Sequence, residues 1–301
     1  MHAARLSWPG RAGAAVIVIA LSAAGCGSSK SKTATSAGTA TQAPSSTLAL
    51  TISEVGRTSK YTAPTAIKGG LVSVQLTNSG KAPHGAQLIR LEGGHTILEA
   101  FQVLKPESHK TPSWIHAEGG VGGAPPGGTG IATVDLPAGR YFVVDVLGAS
   151  SGGPGPPAVA PLTVTPGAEG PLPSTGTTIT AAAPSKDHYK WQVSGALKAG
   201  SNEITFVSKG KQTLHELSVG RITANVPVAR IAKDLQSNGP PPSYVDQSVQ
   251  FETSVLDSGK SENTQLILTK PGTYVFFCHL RDRDGGKSHL AEGLVTTVRV
   301  Q

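Results

Sequence analysis

Beyond residue 47 the chain alternates apolar and polar positions with period two. The segments "LVSVQLTN" (71–78), "IATVDL" (131–136), "RYFVVDVL" (140–147) and "NEITFVS" (202–208) are rich in β-branched and aromatic residues. So are "NTQLIL" (263–268), "TYVFFCHL" (273–280) and "LVTTVRV" (294–300). Each is bounded by Gly, Pro, Asn, Ser or a charged turn, which predicts short half-buried strands. No stretch carries a long apolar stripe at helical spacing, and only "VPVARIAKDLQ" (226–236) predicts a short helix. The run "GGVGGAPPGGTG" (119–130), beside Trp114, reads as packing and turns. The expectation is an all-β chain.

The pattern repeats. "GKAPHGAQLIRL" around His84 aligns with "GKQTLHELSVGRI" around His215, and each histidine has an arginine six positions later, Arg90 and Arg221. "LPAGRYFVVDVL" aligns with "TKPGTYVFFCHL", which sets Asp145 opposite Cys278. A repeat of about 120 residues is too long for a solenoid unit and fits duplicated sandwich domains. The expected units are 48–166 and 177–301, joined by the linker 167–176, "GAEGPLPSTG".

The N-terminus differs. His2, Arg5 and Arg11 precede the apolar run "AGAAVIVIALSAAG", short for a membrane span but suited to a signal-peptide core. Residues 1–25 are therefore expected to be a signal peptide. The run ends in "LSAAGC", which resembles the lipobox of bacterial lipoproteins, with Cys26 as the acylated residue; a plain secretory signal is the alternative. Residues 26–47 hold almost nothing that could form a core and read as a flexible Ser/Thr/Ala-rich tether. Its 21 residues after Cys26 would span roughly 25 Å. The expected location is extracytoplasmic, anchored to the bacterial cell membrane through lipid on Cys26, or secreted.

Composition agrees with short strands: 37 Gly and 22 Pro among 301 residues, with few charged and few aromatic side chains. The net charge of +7 falls to about +5 without Arg5 and Arg11, and there is no basic run, so nucleic acid is not expected as a partner. No nucleophile elbow, zinc-protease helix or phosphate loop occurs.

The C-terminal half resembles the cupredoxins, the plastocyanin-like β-sandwiches that hold one type 1 copper. The resemblance rests on His215 after an N-proximal strand and on "PGTYVFFC" running into a cysteine–histidine–axial loop near the C-terminus. It covers roughly 177–301, and more weakly 48–166. It implies two Greek-key β-sandwich domains in tandem, the second binding one copper through His215, Cys278 and His289. A thiolate and two imidazoles are the donors such a site needs. Alternation puts Tyr274, Phe276 and Cys278 on one strand face, and His215 with Leu217 and Val219 on another inward face. Gly285 and Gly286 let the loop that returns His289 reverse.

Three departures from the family pattern shape the expectations. Leu294 stands where the family has an axial methionine; a hydrocarbon gives the metal no donor and implies a raised reduction potential. Cys278 and His289 are separated by ten residues, more than in the small electron carriers, which implies a less constrained loop. Glu216 follows His215 where the family often has asparagine. His279 is expected to face solvent or a partner. In the first half Asp145 replaces the cysteine, which implies no type 1 copper there and leaves His84 as a hydrogen-bonded loop residue. His95, His109, His116 and His188 read as surface residues.

The expected function is single-electron transfer with an unknown redox partner and His289 as the contact edge. The alternatives are copper storage or delivery, and a metal-free interaction module. No His-x-His pair occurs, and Phe277 precedes Cys278, so the chain is expected not to be an enzyme.

Overall fold

The computed structural model describes residues 43–56, 58–105, 110–147, 157–185, 188–237 and 240–301. The signal segment, Cys26, most of the tether and His109 lie outside the described residues. Among the described residues no helix is long and apolar enough to cross a membrane.

The chain is all-β, built as two packed sandwiches in tandem. The first half holds β1 (Ser46–Val55), β2 (Thr58–Thr62), β3 (Ala66–Lys68), β4 (Gly70–Asn78), β5 (His84–Leu91), β6 (Ile115–Ala124), β7 (Thr129–Leu136), β8 (Gly139–Val144) and β9 (Val159–Thr165). The second holds β10 (Thr177–Ser185), β11 (His188–Ser194), β12 (Gly200–Ser208), β13 (Leu214–His215), β14 (Ser218–Ile222), β15 (Val245–Glu252), β16 (Leu256–Asp257), β17 (Ser261–Leu268), β18 (Gly272–Phe277) and β19 (Val295–Val300). The expected strands are present within a few residues at each end. The helix expected over 226–236 forms over Val228–Leu235 and buries Ile231 and Leu235.

Each half has its own core. Leu48, Leu50, Ile52, Val72, Val74, Leu88, Tyr141 and Leu162 belong to one cluster. Ile179, Ile204, Phe206, Leu217, Tyr274, Phe276, Cys278 and Leu294 belong to the other. Alternation along β18 is strict: Tyr274, Phe276 and Cys278 enter that inner core, while Val275 and Phe277 join the outer cluster beneath the helix Val228–Leu235.

The repeat extends to individual hydrogen bonds. Tyr141 donates its hydroxyl to Pro137 O at 2.8 Å, and Tyr274 donates to Lys270 O at 2.7 Å. Both are four-residue closures at the corner before the strand, of the kind sandwiches use there. Tyr274→Phe should therefore cost about 1 kcal/mol, read as a melting temperature lower by about 2–4 °C.

The halves are joined edge to edge. β7 and β17 pair antiparallel, Thr133 opposite Asn263, making one eight-stranded sheet in the order β11-β10-β12-β17-β7-β4-β1-β2. A second, seven-stranded sheet also crosses the seam, in the order β13-β16-β6-β5-β8-β9-β3. The four glycines of "AEGGVGGA", Gly119, Gly120, Gly122 and Gly123, expected in turns, belong instead to the largely buried strand β6. A Cβ at Gly122 would lie 2.0 Å from Glu252 O of the second half, so only glycine permits that approach. Sequence reading also passed over the helix Ile97–Val103, whose capping box joins Thr96 and Glu99.

Candidate metal centre

His215, Cys278 and His289 come from three places in the second half and converge. His215 ends β13, Cys278 follows β18, and His289 closes the loop after it. All three are fully buried. One ligand atom from each lies within 4.8 Å of the others, and among the described residues this is the one such group of three or more His, Cys, Asp or Glu side chains. Cys278 Sγ is 3.6 Å from His289 Nδ1, and the two imidazole centroids are 4.6 Å apart.

The outer nitrogens of both rings are engaged. His215 Nε2 lies 3.2 Å from Lys209 O, which can only accept, so the proton sits on Nε2. His215 Nδ1 then carries a lone pair, and that buried atom has no hydrogen-bond partner. His289 Nε2 lies 3.2 Å from Asp282 Oδ1, which likewise leaves Nδ1 as the lone-pair atom beside the sulfur. An orphaned buried acceptor beside a second nitrogen and a sulfur is a donor set with a cation's place in it.

The electrostatics favour neutral donors. Burial, with His289 close by, pushes the His215 imidazole down to about 3. Burial pushes His289 down to about 4. Burial holds the Cys278 thiol well above its ordinary range, reinforced by the charge of Glu216. Backbone amides of Glu216 and Leu280 act on the sulfur in the opposite sense and favour the thiolate. A cation entering here displaces one proton, from sulfur, and none from the rings.

Cover over the site comes from Tyr189. Its ring stacks on His289 at 4.3 Å and 28°, and its hydroxyl donates to Asp282 at 2.8 Å. Two expectations are corrected by this arrangement. His289 is not a surface edge, because Tyr189 and Asp282 enclose it. The loop from Cys278 to His289 is not loosely held either. His289 N donates to Leu280 O, Leu290 N to Cys278 O, and Arg283 bonds the carbonyls of Pro112 and Ile115. Neither Tyr189 nor Arg283 had a recognisable spacing in the sequence.

Leu294 is buried in the same core cluster as Cys278, and its N–H donates to His289 O at 2.7 Å. His279 is exposed, with its ring edge-on to Phe277 at 4.9 Å, outside the cluster. In the first half, Asp145 takes the place of the thiol: His84 Nδ1 lies 2.6 Å from Asp145 Oδ2, and His84 Nε2 lies 3.2 Å from Glu54 Oε1. Both nitrogens there are satisfied by carboxylates, so hydrogen bonds join what donor atoms surround in the second half. His95 stacks on Trp114 and His116 lies between Glu92 and Asp257, so both are partly buried rather than free surface; His188 is exposed.

No protein-family model and no curated protein sequence matches the chain. Among solved structures it is similar to a multicopper oxidase, at 14% identity over 85% of this chain and 88% of that one, with a TM-score of 0.24. Auracyanin from Roseiflexus castenholzii matches at 22% identity over 42% of this chain and 99% of its own, TM-score 0.27. A copper nitrite reductase from Nitrosomonas europaea matches at 14% over 85% and 94%, TM-score 0.24. At these values the likenesses assign no function. They do include two kinds of enzyme, so the expectation that the chain is not an enzyme is set aside.

Proposed function

We propose that the second half holds one type 1 copper on His215, Cys278 and His289 and passes single electrons to and from a redox partner. The observation that carries this reading is the unpartnered, buried Nδ1 of His215 facing the Cys278 and His289 donors. Copper bound by one thiolate and two imidazoles supplies a one-electron couple.

The chain's own residues do the rest. Lys209 O and Asp282 fix the tautomers, so both rings offer Nδ1 without rotating. Tyr189 shields His289 from water. Complete burial of all three donors supports electron transfer over storage or delivery, because metal exchange would need the loop to open. We also propose export, with Cys26 carrying lipid and residues 26–47 as the tether from the membrane.

Redox titration of the copper-loaded protein should show a reversible one-electron couple; copper that binds without such a couple would favour storage. In our reading the Leu294 side chain, in the same core cluster as Cys278, would border a metal held by the three donors. Leu294→Met should then lower the reduction potential by supplying a thioether donor that stabilises Cu(II). An unchanged potential would place residue 294 away from the metal.

A further inference from the structure

The first half, which has Asp145 where the second has Cys278, reaches the candidate metal centre from two sides. Behind His215, the short strand β16 pairs with β13 along one edge, His215 opposite Leu256, and with β6 of the first half along the other, Leu256 opposite Glu118. Gln87, a buried side chain of β5, closes the same junction: its Oε1 accepts from Val255 N at 2.7 Å and its Nε2 donates to Val255 O at 3.0 Å. A side-chain amide thus completes a strand-like pair of hydrogen bonds across the seam.

On the other side lies Arg283, midway along the loop between Cys278 and His289. Its Nη1 donates to Pro112 O at 2.9 Å and its Nη2 to Ile115 O at 2.7 Å and to Asp257. Thr111 N donates to Arg283 O at 2.8 Å, and Arg283 N donates to Gln212 O at 2.8 Å, three residues before His215. The same Asp257 accepts from Ala117 N at 3.2 Å. One guanidinium therefore ties the His289 loop, the segment behind His215 and residues 111–115 of the first half to a single point. Only a planar fork serves acceptors in those several directions at once.

We infer that the first half is a brace for the metal centre, with Arg283 holding the loop that carries His289 and Gln87 holding the segment behind His215. Both are positioning residues, since neither touches the donor atoms. The consequence for copper rests on the function proposed above; the brace itself can be read without metal.

The test uses the full chain carrying Cys26→Ser, so that Cys278 is the sole thiol. In the metal-free protein, modification of Cys278 by a soluble aromatic disulfide reports how often the site opens. Arg283→Met and Gln87→Met should each raise that rate at least about tenfold while thermal unfolding remains cooperative. Arg283→Lys keeps the charge and should not restore the slow rate. In copper-loaded protein the same variants should shift the thiolate charge-transfer band and speed loss of copper to a chelator. Should Arg283→Met fail to fold, Arg283→Lys carries that arm.

Wild-type thiol rates in the Arg283 and Gln87 variants would overturn the brace. A fast thiol in the Arg283 variants alone would also overturn it, because a purely local clamp would do the same. Wild-type protein that takes up no copper would remove the proposed function and leave the thiol result standing.

Discussion

Cys278→Ala should abolish the visible absorption and the redox couple expected of the copper-loaded protein while both halves stay folded. In the proposed site a Cys278 thiolate would be the only donor whose charge transfer to copper gives colour, and the one anionic donor offsetting the cation's charge. His215 and His289 alone would bind copper weakly, as two neutral rings whose outer nitrogens are already engaged by Lys209 O and Asp282. Removing the buried sulfur costs the metal-free fold roughly 1–2 kcal/mol, the ordinary penalty for a small core cavity. The separate core of the first half does not contain Cys278 and should melt as before. Visible absorption spectroscopy and calorimetry on the same sample check both parts. A coloured, redox-active Cys278→Ala protein would remove the site.

Glu262→Gln should stabilise the protein at pH 9 by an amount on the order of 4 kcal/mol, or about 10 °C, and leave it nearly unchanged at pH 4. Glu262 lies on β17 at the seam, fully buried, with Oε2 accepting from Gly120 N at 2.9 Å and Oε1 without a partner. Burial raises its carboxyl from 4.5 to about 8. The folded chain therefore keeps this proton up to about pH 8, whereas the unfolded chain loses it near pH 4.5. Unfolding releases a proton throughout that window, so this group's contribution to stability falls as pH rises from about 4.5 to about 8, then levels. A glutamine amide keeps the acceptor for Gly120 N and carries no charge. Denaturant titrations of both proteins across pH 4–9 should diverge with rising pH; parallel curves would show that Glu262 ionises without cost.

The strands were readable because sandwiches write a period of two into the sequence. "TYVFFC" shows it best, with Tyr274, Phe276 and Cys278 in one cluster and Val275 and Phe277 in another. That His215, Cys278 and His289 come together was legible because cysteine is rare here and the resemblance singled out those two histidines. The repeat was legible down to Tyr141 and Tyr274, whose equivalent corners it aligned.

What escaped shares one cause: contacts between distant segments made by backbone or by common side chains. The pairing of β7 with β17 uses main-chain groups, and no residue type announces it. Gly119 to Gly123 read as turns because glycine signals turns more often than close approach; here Glu252 O occupies the space a side chain at Gly122 would need. Tyr189, Asp282 and Arg283 are ordinary residues whose roles exist only after folding brings them to His289 and to residues 111–115. For that reason the sequence suggested an open loop with an exposed histidine, and the structure has an enclosed one.

The measurement that bears most directly on the central claim is the visible spectrum of the purified chain carrying Cys26→Ser after one equivalent of Cu(II). The proposed site predicts an intense thiolate-to-copper charge-transfer band that saturates at one copper per chain and vanishes on reduction. A protein that remains colourless and binds copper in neither oxidation state would contradict it, leaving Cys278 as a buried core residue between two histidines.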